Sequence, residues 1–257
     1  MKLVILAGGL GSRLSEETVL KPKPMVEIGD KPIIWHIMKL YSYYGINDFI
    51  ICCGYKGEVL KEYFYNYFFY NSDIEINLRS KNKLKIINNN TEDWNIKLID
   101  TGLNTMTGGR LKRIQKYIKK NEDFCMTYGD GLSDLNINNL IKFHKKSRKF
   151  ATMTAVSPTG RFGAIVEKNS LVLKFEEKPQ GDGLINGGFF VLNEKIFRFI
   201  KKDEDVWEQE PLSNIVKKKQ LVIFKHKGFW QPMDTVREKN LLCDLWKSNK
   251  PPWKKWK

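Results

Sequence analysis

The chain opens on an apolar run, Lys2-Leu3-Val4-Ile5-Leu6-Ala7, that breaks directly into Gly8-Gly9-Leu10-Gly11-Ser12-Arg13-Leu14. A run of this length and composition reads as a buried strand. A glycine-rich turn at the end of such a strand is where α/β folds place their ligands. Glycine lets backbone N–H groups approach phosphate oxygens without a Cβ in the way. Two familiar loops are excluded. No Gly-Lys-Ser/Thr closes the segment, so it is not a P-loop, and Leu14 stands where a dinucleotide fingerprint has its third glycine. The next strand also ends in Cys52-Cys53-Gly54, with no acidic residue to grip a ribose.

Strand and helix then alternate. Ile33, Ile34, Ile37, Leu40, Tyr41 and Tyr44 recur at helical spacing up to Gly45. Asp48–Cys53 reads as a strand and Glu58–Phe69 as a helix. Between 71 and 100 the character changes to short strands, Asn71–Leu78, Lys83–Ile87 and Asn95–Ile99, set among Asn-rich turns. Alternation resumes with a helix near Gly108–Lys119, strand Phe124–Tyr128, helix Asn136–Lys146 and strand Ala151–Ser157. Short strands follow around Phe162–Glu177 and Gly187–Leu192. Further helices are expected near Glu194–Lys201 and Pro211–Lys218 and from about Thr235. The pattern predicts an α/β fold, a Rossmann-like, mainly parallel sheet flanked by helices, in one domain over 1–257 with a small β insertion at about 71–100.

The formal charge is +15, from 44 basic and 29 acidic residues. That suits a nucleic acid, a small polyanion such as a nucleotide, or simply a lysine-rich surface, and charge alone does not choose. No apolar stretch has the length of a signal peptide core or a membrane span. Cys52, Cys53, Cys125 and Cys243 form no C-x-x-C pair, so free thiols in a cytoplasmic protein are expected. Trp246, Trp253 and Trp256 stand among lysines at the C-terminus. They could stack on single-stranded nucleic acid or pin the terminal segment to the body.

The charged residues after the glycine loop give it meaning. Arg13 lies inside the loop, followed by Lys21-Pro22-Lys23-Pro24-Met25 and Lys31-Pro32. With Gly8, Gly9, Gly11, Ser12 and Leu14, this stretch resembles the signature of the sugar-1-phosphate nucleotidyltransferases. Ser12 replaces the usual Thr and keeps its hydroxyl, and Ser15-Glu16-Glu17 stands where a proline is common. Tyr128-Gly129-Asp130-Gly131, Phe162-Gly163-Ala164-Ile165 and Glu176-Glu177-Lys178-Pro179 are similar to later family segments, in the same order. So are Asn186-Gly187-Gly188-Phe189-Phe190 and Trp230-Gln231-Pro232-Met233-Asp234-Thr235. Met106–Leu111 and Trp207–Leu212 look like the branch of the family that joins CTP to glucose 1-phosphate.

That resemblance implies a set of roles. Arg13 and Lys23 would be catalytic, the first holding departing pyrophosphate, the second bridging the α-phosphate and the incoming sugar phosphate. Leu6, Ala7, Gly8, Gly9, Leu10, Gly11, Ser12, Asn104, Gly109 and Tyr128 would line the nucleotide with them. Gly163, Glu177, Lys178, Asn186 and Gly187 would take the sugar phosphate. Asp130 and Asp234 would hold Mg2+, since two carboxylates brought together without a cation repel. The implied partners are CTP and glucose 1-phosphate, with neither nucleic acid nor membrane, in a homo-oligomer. The same fold could use UTP or dTTP. A phosphate oxygen is already a nucleophile, so no base is required, and His36, His144 and His226 lie outside every matched motif.

Overall fold

The computed structural model describes residues 1–79, 83–157, 164–168, 171–176 and 183–256, with 164–168 and 171–176 described by their backbone alone. Its frame is a seven-stranded sheet. In spatial order the strands are Leu221–His226, Ala151–Val156, Ile185–Asn193, Asp123–Tyr128, Lys2–Leu6, Asp48–Cys53 and Asn95–Asp100. All run parallel except Ile185–Asn193, which is antiparallel to both neighbours.

The first strand is continuous in apolar residues because both its faces are covered. Leu3 and Ile5 pack into one core layer, and Val4 and Leu6 into the other. The first layer lies under the helices Ile33–Tyr43, Ile137–Ser147 and Val236–Lys247. The second lies under Thr107–Arg113, Glu194–Phe199 and Glu210–Lys217. The first strand pairs with Asp48–Cys53 on one side and Asp123–Tyr128 on the other. The chain order therefore reverses beside it, and the crevice outside the strand ends at such a switch point is where open α/β sheets bind ligands.

Several expectations need correction. Asn95–Asp100 does not belong to an insertion: it pairs in parallel with Asp48–Cys53 as the sheet's edge. The added element is the hairpin Ser72–Asn77 with Lys83–Asn89. The helix expected to reach Lys119 stops at Arg113 and continues as a 3-10 turn, Gln115–Tyr117. Glu194–Phe199 is likewise 3-10 rather than α. The edge strand Leu221–His226 is an apolar run that alternation alone did not pick out.

The C-terminal segment is pinned by its indoles. Trp253 is fully buried beside His36, and Trp246 meets the same imidazole edge-on at 4.6 Å. Gly29 is required there: its φ is +69°, and a Cβ would stand 2.2 Å from the Trp246 ring. His36 donates from Nε2 to the Ile28 carbonyl (2.9 Å) and accepts at Nδ1 from Trp253 Nε1 (3.4 Å). Burial pushes its pKa down to about 4, against smaller upward pulls from the Ile28 carbonyl and Asp30. It is a structural histidine.

Candidate active site

Four loops meet at the switch point. The glycine loop follows the first strand and turns at Gly11, whose φ is +67°. Lys23 sits on a 3-10 turn, Lys23–Met25, fixed by Pro22 and Pro24. Asp130 follows the Asp123–Tyr128 strand by two residues. Asp234 comes from about a hundred residues further along. A two-stranded ladder, Gly131–Ser133 with Trp230–Pro232, joins these last two, and Met233 N–H donates to the Asp130 carbonyl at 2.8 Å. A capping box places Asp234 as well: Thr235 caps the helix Val236–Lys247, and Glu238 accepts from the Asp234 and Thr235 N–H groups.

The result is a compact ionic cluster. Lys23 Nζ donates to Asp130 Oδ2 at 2.7 Å and to Asp234 Oδ1 at 2.5 Å. Arg13 Nη1 donates to Asp234 Oδ2 at 2.7 Å. Burial alone would lower the Lys23 pKa, but Asp130 and Asp234 outweigh it and hold the ammonium charged above its usual range. The cation that keeps the two carboxylates from repelling here is Lys23, which lies between them. Among the described residues no three His, Cys, Asp or Glu side chains are grouped to hold a metal. Two hard carboxylates beside a cavity fit magnesium, which commonly takes one or two protein carboxylates and completes its shell from substrate phosphates and water.

Two cavities flank the cluster and share Arg13, Tyr128 and Asp130. The first, about 370 Å³, is walled by Leu6, Ala7, Gly8, Gly9, Gly11, Ser12, Arg13 and Lys23 from the N-terminal segments. Among the described residues, the N–H groups of Gly8, Gly9, Leu10 and Gly11 donate to no backbone carbonyl. They are donors available to an anion. Leu10 itself is 60% exposed and outside the wall.

The opposite wall is Thr105, Met106, Thr107, Arg110 and Val206. Asn104 and Gly109 are not part of it. Gly109 instead packs on the 203–205 segment, where a Cβ would lie 2.3 Å from the Asp203 carbonyl oxygen. Sequence reasoning missed Arg110, although it lies within a matched stretch. This guanidinium is buried (4% exposed) and donates to the carbonyls of Gly8, Cys53, Gly102 and Leu103 and to Thr101 Oγ1. Desolvation lowers its pKa, and no carboxylate hydrogen-bonds it among the described residues. Its size explains Gly8, where a Cβ would stand 2.2 Å from Nη1.

The second cavity, about 380 Å³, is bordered by Asn186, Gly187, Gly188, Glu208, Trp230 and Asp234. Trp230 Nε1 donates to the Gly187 carbonyl at 2.7 Å. Gly163, Glu177 and Lys178 lie outside the described residues. His144 is at the other end of the sheet, bonded to Thr152 and beside Asp123. His226 contacts Ser133 and Asp134. Neither borders a cavity wall at the cluster.

A glycine loop, a lysine between two carboxylates and paired cavities at a switch point define a site for joining two phosphorylated ligands. The sequence profile of the family described as nucleotidyl transferase matches residues 2–235, and the chain belongs to that family. Over 257 residues it is 57% identical to the glucose-1-phosphate cytidylyltransferase of Salmonella typhimurium, with 100% of both chains covered. It is 41% identical to the probable glucose-1-phosphate cytidylyltransferase of Bacillus subtilis, again over 100% of both. The crystal structure of HddC from Yersinia pseudotuberculosis complexed with GMP-PN superposes with a TM-score of 0.69, covering 95% of this chain and 99% of that one. At 23% identity that likeness speaks to the fold.

Proposed function

We propose that the chain transfers the cytidylyl group of CTP to glucose 1-phosphate, giving CDP-glucose and pyrophosphate. One observation carries the reading: two cavities meet at a cluster of two cations and two carboxylates, in a chain 57% identical along its full length to a relative named for that reaction. A phosphate oxygen of the sugar 1-phosphate attacks the α-phosphorus. A new P–O bond forms, the α–β bridging bond breaks, and pyrophosphate leaves with its electrons. No general base is needed. The protein's task is to gather two polyanions and neutralise the charge at the α-phosphorus.

Gly8 through Ser12 supply backbone donors to the triphosphate. Arg13, largely exposed and bonded to Asp234, can swing to the departing pyrophosphate. Lys23 lines the first cavity and bonds Asp130 and Asp234, which border the second; it is assigned to the α-phosphate and the incoming sugar phosphate. Base recognition is assigned to the Thr105–Thr107 wall rather than to Asn104 and Gly109. Asn186 and Gly187 are assigned to the sugar, with Gly163, Glu177 and Lys178 beside its phosphate. Asp130 and Asp234 would hold Mg2+, which when bound would neutralise phosphate oxygens, with Lys23 beside them to serve the phosphates as well.

All four cysteines are free, as suits a reducing cytoplasm, and no described helix is long and apolar enough to cross a membrane. Exposed Tyr65, Tyr70, Leu78 and Ile87, on and beside the hairpin, offer the apolar surface that a homo-oligomer would cover.

The test is pyrophosphate release from CTP, UTP and dTTP, each with glucose 1-phosphate. CTP is expected to be fastest and UTP the next best. Preference for dTTP, or no release with any triphosphate, overturns the reading.

A further inference from the structure

We propose that Glu208 is a positioning residue for the sugar: it fixes the hydrogen-bond direction of the second cavity's wall through Tyr128, and ties that wall to the nucleotide loop through Thr107. The proposal rests on the second cavity being the sugar site.

Glu208 stands at the mouth of that cavity with both carboxylate oxygens engaged. Oε1 accepts from the Tyr128 hydroxyl, and Oε2 accepts from Thr107 Oγ1 at 2.8 Å. An ionised carboxylate only accepts, so Tyr128 must spend its one hydrogen on Glu208. The phenol oxygen can then only accept from other groups. One carboxylate thus leaves the Tyr128 oxygen on this wall as an acceptor for a sugar hydroxyl. Asn186, on the same wall, accepts at Oδ1 from the Gly188 N–H at 2.8 Å. Gly188 is part of this arrangement, since at φ +80° a Cβ would press within 2.8 Å of the Tyr128 ring.

Glu208 is itself held on the nucleotide side. Its neighbour Trp207 is fully buried, meets Phe190 edge-on at 6.1 Å, and donates from its backbone N–H to Thr107 Oγ1 at 2.9 Å. Met106 N–H donates to the Asp203 carbonyl at 2.8 Å and Gly108 N–H to that of Asp205 at 2.9 Å. The segment before Glu208 is thereby fastened to the loop that walls the first cavity, while Glu208 borders the second.

Glu208→Gln and Tyr128→Phe, singly and together, test this with each substrate varied at saturating levels of the other. Each single change should raise the KM for glucose 1-phosphate about tenfold, the loss of one charge-assisted hydrogen bond. The KM for CTP should rise by less, because both variants keep the Tyr128 ring that lines the first cavity. The double variant should be no worse than the poorer single, because both remove one bond. Wild-type turnover of CTP with glucose 1-phosphate checks the reading of the site separately. With that turnover in hand, an unchanged sugar KM, an equal rise for both substrates, or additive losses would overturn the role of Glu208.

Discussion

The ionic cluster around Lys23 and the aromatic cluster around His36 both draw on the two ends of the chain, the ionic one adding Asp130 from the middle. Each joins the first forty residues to the last twenty-five. In the first, Lys23 and Arg13 meet Asp234 from across the sequence. In the second, His36 and Trp35 meet Trp246, Trp253 and Trp256. The ionic cluster borders open cavities, so its pairs can be exchanged for those of a ligand. The aromatic cluster is packed around buried His36 and Trp253, and burial lowers the pKa of the imidazole inside it. The first is a place where substitution should cost turnover, and the second a place where it should cost folding.

The largest test of that contrast is Trp253→Ala. Emptying a fully buried indole site should destabilise the protein by about 3–5 kcal/mol. Urea unfolding should show the loss while turnover per folded molecule at 25 °C is retained. Lost turnover in the folded fraction would mean that the aromatic cluster reaches the site.

Asp130→Asn and Asp234→Asn should do the reverse. Each should cut turnover by a factor of roughly 10² or more, because charge developing at the α-phosphorus is left less neutralised. The unfolding midpoint should fall only modestly, since Lys23 keeps one carboxylate in either variant and the new amide oxygen still accepts. A variant with normal rate and normal magnesium response would remove that aspartate from the site.

His36 gives a pH signature. Its folded pKa of about 4 lies below the ordinary 6.5, so the native state excludes a proton that the unfolded chain binds. The stabilisation is fully present above pH 6.5 and is lost as pH falls from there toward 4, amounting to about 2 kcal/mol lost by pH 5. The difference in unfolding free energy between wild type and His36→Gln should therefore narrow from pH 7.5 to pH 5. A constant difference would show that the imidazole does not titrate against folding.

The smallest expected effect falls between the two clusters. Thr235 caps the helix that carries Trp246 and adjoins Asp234. Thr235→Ala should cost about 1 kcal/mol of stability, with turnover changed far less than by Asp234→Asn. A rate loss as large as that of the aspartate variant would show that the cap, and not the carboxylate alone, sets the site.

The sequence by itself determined the parts of this protein whose physics is local. An apolar run must be a strand, and glycines at its end must leave backbone donors bare, so Leu6 through Arg13 were readable as a phosphate loop. Pro22 and Pro24 bracket Lys23 for the same kind of reason. Asp130 could be placed because it follows a strand at the ligand end of the sheet. Tertiary structure decided what depends on groups distant in sequence. Arg110 is held by five acceptors contributed from Gly8, Cys53 and the 101–103 turn, and no local pattern announces a buried cation satisfied by carbonyls. Whether Asn104 or Thr105 faces the cavity depends on how the loop is tied to Asp203 and Asp205. Asn95–Asp100 and the hairpin before it have similar composition, and only pairing with Asp48–Cys53 makes the former part of the sheet. Lys23 lies between Asp130 and Asp234 because a ladder of three residue pairs joins two segments that sequence separation alone would leave unrelated.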